Sequence, residues 1–192
     1  MRESITSKWA CALTICLTAF AGSLGAVASD APASEYAVKA AIVHKIAKFI
    51  TWPEDGKRPG GQPLSICLPE RDPMGPAIEA LSGEVVQGRL IEVRRLNEVT
   101  TPTADCKILY LSRPSSEQYR SLIHDVADSP VLTIGDSKHF ARSGGIVLLQ
   151  IKEDQIQFAI NVVASRRAGL GISAQLLQLA RISDQPQQQE RQ

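Results

Sequence analysis

Short apolar runs recur along the chain at intervals filled by helical stretches. "PLSICLP" (63–69), "CKILYLS" (106–112) and "PVLTIGD" (130–136) are apolar at nearly every position. A strand of that kind must be covered on both faces, which favours the interior of a parallel sheet. "RLIEVRRL" (89–96) instead alternates apolar and charged residues, as a half-exposed strand does. Between them, "DPMGPAIEALSG" (72–83) and "SSEQYRSLIHDVA" (115–127) read as helices, the second with a serine cap and glutamate in its first turn. "GIVLLQIKEDQIQFAINVVA" (145–164) reads as two strands turning near Glu153-Asp154, and "AGLGISAQLLQLARI" (168–182) as a last helix, apolar around most of its circumference. The alternation predicts an α/β fold. The expected form is a three-layer αβα sandwich with a mostly parallel central sheet, Rossmann-like or flavodoxin-like, ending in an antiparallel hairpin and a C-terminal helix.

Ahead of the first strand, Ser34-Glu35 opens a helix expected to run to about Ile50 and to be stopped by Pro53. At 100° per residue, Val38, Ile42, Val43, Ile46, Phe49 and Ile50 share one broad arc, with His44, Lys45 and Lys48 opposite. Lys39 projects into the apolar arc. Two accounts fit it: a lysine snorkelling to water, or a buried cation held by a carboxylate or a ligand.

Arg2 and Lys8 precede an apolar run from Trp9 to Ala21, and Ala26-Val27-Ala28 has the small-x-small pattern of a cleavage site. Residues 1–28 are therefore read as a secretory signal peptide, residues 29–182 as a single domain, and the polar residues 183–192 as a disordered tail. Neither Cys11 nor Cys16 sits in a lipoprotein signal, and both leave with the leader. Cys67 and Cys106 remain, and two cysteines in an exported chain read as one disulfide. In a parallel sheet the two would be near neighbours, stapling one strand to another at an edge of the core. Closing that loop of about 40 residues stabilises by ~4 kcal/mol on the chain-entropy model. Removing Arg2, Lys8 and Glu3 takes the 21 basic and 20 acidic residues to 19 each. That balance argues against nucleic acid as a partner.

The chemical motifs are weak. Gly169-Leu170-Gly171-Ile172-Ser173-Ala174 matches a dinucleotide-binding pattern, but no second βαβ half and no acidic ribose-binding strand follow it. Its glycines are read as a tight turn and close helix packing. Asp136, Ser137, Lys138 and His139 follow a strand, where open α/β sheets place ligands. Adjacency in sequence does not make a triad, and a cap and turn explain the segment. Ser143-Gly144-Gly145 precedes a strand, so it is a turn. Arg166-Arg167, placed at the start of the last helix, is either solvated surface or a contact for an anion or a partner's carboxylates. His44, His124 and His139 lack metal-ligand spacing. No catalytic residue, metal or cofactor is assigned.

"EYAVKAAIVHKIAKFITWPE", "LSICLPE", Cys106 opening "CKILYLS", "VLTIGDSKHFARSGGIVLL" and "FAINVVASRRAGLGISAQLLQLARI" together resemble the YfiR-like periplasmic proteins over residues 35–182. The resemblance implies an αβα sandwich that tends to homodimerise. It also implies a non-enzymatic, periplasmic role: binding and repressing the periplasmic domain of an inner-membrane diguanylate cyclase, which controls cyclic-di-GMP signalling and biofilm formation. The family disulfide maps onto Cys67 and Cys106, with any second bridge of the relatives missing here. The last helix is then the candidate self-contact. Trp52, at the corner with Pro53, is either an interface anchor or a side chain packed on the sheet.

A second reading is a periplasmic module that binds a small ligand, such as a nucleotide or amino acid, without a cyclase partner. It would use a crevice near Glu70, Ser112, Asp136 and Ser137, with Lys39 or Arg166 meeting an anion.

Overall fold

The computed structural model describes residues 34–53, 62–97, 106–112, 117–152 and 155–182. The leader at 1–28, the tail at 183–192 and the turn at Glu153-Asp154 lie outside the described residues.

The first helix, α1 (Glu35–Ala47), starts where expected. The Ser34 side chain accepts a hydrogen bond from the Ala37 amide at 3.2 Å, and Glu35 occupies the first turn, where the helix dipole favours an anion. Its end differs from expectation. The helix stops at Ala47, and Ile50–Thr51 forms a strand, β1, so Pro53 is not the terminator. The stop comes from elsewhere in the chain: the Gln87 side-chain amide donates to the carbonyls of Ala47, Lys48 and Ile50 at 3.3, 3.1 and 2.9 Å. The first two belong to the helix end and its cap, which lack intrahelical partners, and the third to the first residue of β1.

Strand β2 (Leu64–Pro69) and helix α2 (Gly75–Glu79) follow. Next comes a hairpin absent from the sequence reading, β3 (Val85–Val86) turning through Gln87-Gly88 into β4 (Arg89–Leu96). Both turn residues have positive φ, 52° and 75°, as a two-residue hairpin turn matched to strand twist requires. The chain continues with β5 (Ile108–Leu111), α3 (Glu117–Asp125), β6 (Leu132–Gly135), α4 (Lys138–Arg142), β7 (Val147–Lys152) and β8 (Gln155–Ile160). It closes with α5 (Val162–Arg167), β9 (Gly171–Ile172), α6 (Ala174–Leu179) and β10 (Arg181–Ile182).

Two expectations fail in this last stretch. The second hairpin strand does not reach 164, because Asn161 Oδ1 accepts from the Ala164 amide at 2.9 Å and caps α5. The last helix is not continuous from 168 to 182. Gly169 takes a left-handed φ of +70°, and Gly171 enters β9 opposite Thr51 of β1. Only then does the Ser173 hydroxyl cap α6 by accepting from the Leu176 amide. The paired glycines thus serve a turn and a close strand approach, with a Cβ on Gly171 only 3.2 Å from that of Thr51.

The main sheet has the order β10-β8-β7-β6-β5-β2-β4-β3. Strands β4, β2, β5, β6 and β7 are mutually parallel, while β7 with β8 and β3 with β4 are antiparallel. This is a mixed α/β fold with a mostly parallel sheet. Side chains divide by alternation. Ile66, Leu68, Ile108, Tyr110, Leu132 and Ile134 join the core on the face bearing α1. Cys67, Leu109, Leu111 and Phe140 join a second core with Ile123 and Val126 of the α3 region. Phe140 fills the space over Gly135 and Gly145, where any Cβ would collide with its ring.

Cys67 and Cys106 are bonded, with Cα atoms 5.8 Å apart and a sequence separation of 39. They are 0% and 2% exposed within the second core, and β2 lies in the middle of the sheet. The staple is therefore central, not at an edge. Replacing both cysteines by serine is expected to cost about 4 kcal/mol of stability, read by urea unfolding. A loss below about 1 kcal/mol would show that the loop it closes is already restrained in the unfolded chain.

Candidate functional site

Helix α1 presents Lys39 to the carboxyl ends of the parallel strands. Lys39 is 5% exposed, and its ammonium donates to Asp136 Oδ2 at 2.8 Å and contacts Glu35 Oε1, one helical turn earlier, at 2.6 Å. Of the two sequence accounts, the buried cation held by carboxylates is the one the structure shows. Asp136 follows the last residue of β6, so strand and helix bring the pair together across 97 residues.

A second carboxylate stands nearby. Asp72, in the loop after β2, is 5% exposed. Its Oδ1 accepts from the Ser112 hydroxyl at 2.7 Å and the Met74 amide at 2.8 Å, and its Oδ2 accepts from the Ser112 amide at 3.0 Å. Asp72 thus joins the loop after β2 to the end of β5. These two strands flank the point where the chain reverses its direction of sheet building, the position where open α/β sheets form crevices.

Electrostatics follow from this crowding. Burial alone would lower the Lys39 pKa, but hydrogen bonds and charge from Asp136 and Glu35 outweigh it and hold the ammonium above its ordinary value. Burial raises Asp136, Lys39 opposes the rise, and the charges of Asp72 and Glu35 add to it, leaving the carboxyl above its ordinary value. The two directions look opposed for an ion pair, since one favours the charged and the other the neutral form. Each has its own cause: the Lys39 rise comes from its bonds to Asp136 and Glu35, and the Asp136 rise comes first from burial, which Lys39 only partly offsets. Tyr110 on β5 responds in the same way. Its phenol is buried, and desolvation with the charges of Asp136, Asp72 and Glu35 pushes its pKa far above the ordinary range.

The remaining sequence candidates fall elsewhere. Ser137 accepts from the Phe140 amide at 3.1 Å and serves the start of α4. Glu70 is exposed. Trp52 is not an exposed anchor: it is 1% exposed, its indole donates to the Lys107 carbonyl at 3.3 Å, and the Arg89 guanidinium lies 5.9 Å from its ring centre. Arg166 and Arg167 lie in the last turn of α5, where cations complement the helix dipole, not at the start of a helix. Arg167 grips Asp128 through two nitrogens at 2.6 and 2.7 Å, and this pair lowers Asp128. Of the sequence candidates, Lys39 and Asp136 are brought into contact, Ser112 bonds Asp72 instead, and Arg166 sits in the last turn of α5.

Sequence reasoning missed Glu35, Asp72 and Tyr110. A phenol in the otherwise aliphatic run "CKILYLS" was the available signal for Tyr110. Asp72 gave none beyond its place after a strand. Among the described residues, no group of three or more His, Cys, Asp or Glu could hold a metal ion, and no helix is long and apolar enough to cross a membrane.

The lysine generates a prediction with a defined sign. Lys39→Met, which leaves two carboxylates facing an apolar chain, is expected to cost roughly 3 kcal/mol at neutral pH. Adding Asp136→Asn should return most of that loss. Urea unfolding of the two single variants and the double variant measures the coupling, and additive losses would show that the pair acts independently. The lysine's stabilisation is full below its unfolded value of 10.5 and disappears as pH rises through the higher folded value. The raised Asp136 acts with the same sign in a lower window, removing stability as pH climbs past 3.8.

No curated protein is a significant match to the chain. The sequence profile of the YfiR/HmsC-like family matches residues 36–181, which covers α1 through Arg181 and includes every residue of the crevice except Glu35. The chain belongs to the YfiR/HmsC-like family, a family of periplasmic regulators and not of catalysts.

Proposed function

We propose that this chain is exported by a cleaved signal peptide at residues 1–28 and, in the periplasm, binds and represses the periplasmic domain of an inner-membrane diguanylate cyclase. Loss of the protein then raises cyclic-di-GMP and promotes biofilm formation. The observation that carries this reading is the family match over residues 36–181. A repressor of this kind needs a stable surface and no reacting groups. The working unit is residues 29–182, a three-layer αβα sandwich. Apolar cores on both faces of the sheet support that arrangement.

The surface offers candidate contacts to replace Trp52. Val85 and Leu90 are register partners on the β3–β4 hairpin, 54% and 56% exposed, and form an apolar pair at the edge of the sheet. Leu179 of α6, 74% exposed near the opposite edge, supports self-association through the last helix. Arg166 adds an exposed cation for a partner's carboxylates.

Cellular cyclic-di-GMP decides the matter. It is expected to rise in a strain lacking the gene and to return when the intact protein is supplied. An unchanged level, under growth in which the protein is made, would remove the cyclase from the reading.

A further inference from the structure

Among the described residues two buried side-chain polar atoms lack a hydrogen-bond partner, His44 Nε2 and the Tyr110 hydroxyl, and only Tyr110 is fully buried. Its ring is fully buried, yet its hydroxyl has no hydrogen-bond partner among the described residues. Buried hydroxyls are ordinarily bonded, and an orphan one costs free energy that phenylalanine would avoid. Tyr110 pairs with Ile134 of β6, two residues before Asp136, and shares the α1 face of the sheet with it; the charges of Asp136, Asp72, Glu35 and Tyr36 all reach its phenol. Burial falls off from it toward solvent. Tyr110 is 0% exposed, Lys39 5%, Tyr36 39%, and the Glu35 side chain 55%.

We propose that this crevice is a recognition site for a small protonated amine that also carries a neutral oxygen acceptor, such as an amino alcohol. The ammonium is taken by the carboxylates of Asp136 and Glu35, and the oxygen accepts from the Tyr110 hydroxyl. Three features of the crevice select that chemistry. Lys39 is already held by two carboxylates, so an anion entering here meets no available cation. Glu35 and Asp136 on one lysine leave a surplus of negative charge for a cation to neutralise. Tyr110 stays protonated in that field, so it presents a donor and calls for an acceptor. Asp72 takes no direct part, because its two oxygens already accept from Ser112 and from the Met74 amide. The site needs no particular macromolecular partner, and its test uses the purified protein alone, so failure of the cyclase reading leaves it standing.

The experiment is thermal unfolding of the purified exported protein with 3-amino-1-propanol titrated into the millimolar range. Propylamine, which lacks the oxygen, and propionate, which lacks the ammonium, are run beside it. The amino alcohol is expected to give a saturable rise in melting temperature, larger than propylamine gives, with no rise from propionate. Tyr110→Phe, which removes only the hydroxyl, should keep the melting temperature at or above that of the parent. It should also weaken the amino alcohol about tenfold, to the level of propylamine. Asp136→Asn should weaken both amines. Three results overturn the proposal: a shift from propionate and none from the amines, an unchanged response in Tyr110→Phe, or no shift from any amine, which would leave the phenol to solvent alone.

Discussion

The joint between β2 and β5 is the constraint on which the rest of the fold depends. In a sheet that grows from its middle toward both edges, these two strands meet where the connections diverge. The ladder there is short, with only Ile66 opposite Ile108 and Cys67 opposite Leu109. Side chains complete what the ladder leaves open. Below it, the Cys67–Cys106 bond ties β2 to the residue two places before β5, and the Lys107 amide donates to both the carbonyl and the hydroxyl of Ser65. Above it, Asp72 accepts two hydrogen bonds from Ser112. A crevice opens at such a point in many α/β proteins because nothing spans it. Here a covalent bond and a buried carboxylate span it from both ends.

That closure fixes where the polar groups collect. With Asp72 spent on Ser112 at the β2–β5 gap, the next polar groups stand one strand further on, at Tyr110 of β5 and Asp136 after β6. Helix α1 crosses there and supplies Lys39 and Glu35 from successive turns of one face. The Lys39 ammonium loses hydration on burial and recovers it from two carboxylates, one of which remains half in solvent. A buried pair of this kind adds little net stability against an apolar alternative, though breaking it is costly. The pair ties α1 to the end of β6 across 97 residues.

Much of this was legible in the sequence, and the failures share a cause. Strand β4 was bounded correctly from its period-2 pattern alone, and β2 and β6 to within a residue or two, because burial writes itself into local composition. The disulfide followed from counting two cysteines in a chain read as exported. The ends of α1, β8 and the last helix were missed because each is set by a long-range partner. Gln87 reaches across 40 residues to stop α1, and Thr51 draws Gly171 into a strand where local propensity continues the helix. The crevice divided in the same way. Lys39 stood out as a charge on an apolar arc, and Asp136 as an acid at a strand end. Glu35 read as a helix-start residue and Tyr110 as core, and only their meeting across strands and helix makes them a site. Trp52 shows the converse. An aromatic at a Trp-Pro corner satisfies the pattern of an interface anchor, yet the Lys107 carbonyl and the Arg89 guanidinium give it a complete interior environment.

Strand β5 carries both halves of the arrangement on four residues. Leu109 and Leu111 face the core that contains the disulfide, while Tyr110 faces the core beneath α1 and the acids. All four residues of the strand are fully buried, and its neighbours β2 and β6 are parallel partners on either side. A strand so held cannot tilt about one core without displacing side chains in the other, because close-packed interiors do not deform continuously. Cys106 precedes this strand and Ser112 follows it, so the covalent staple and the Asp72 hydrogen bonds grip the same rigid segment at its two ends. The position of the Tyr110 hydroxyl is therefore set jointly by chemistry on both faces of the sheet, and any group that engages it must act against the whole of that clamp.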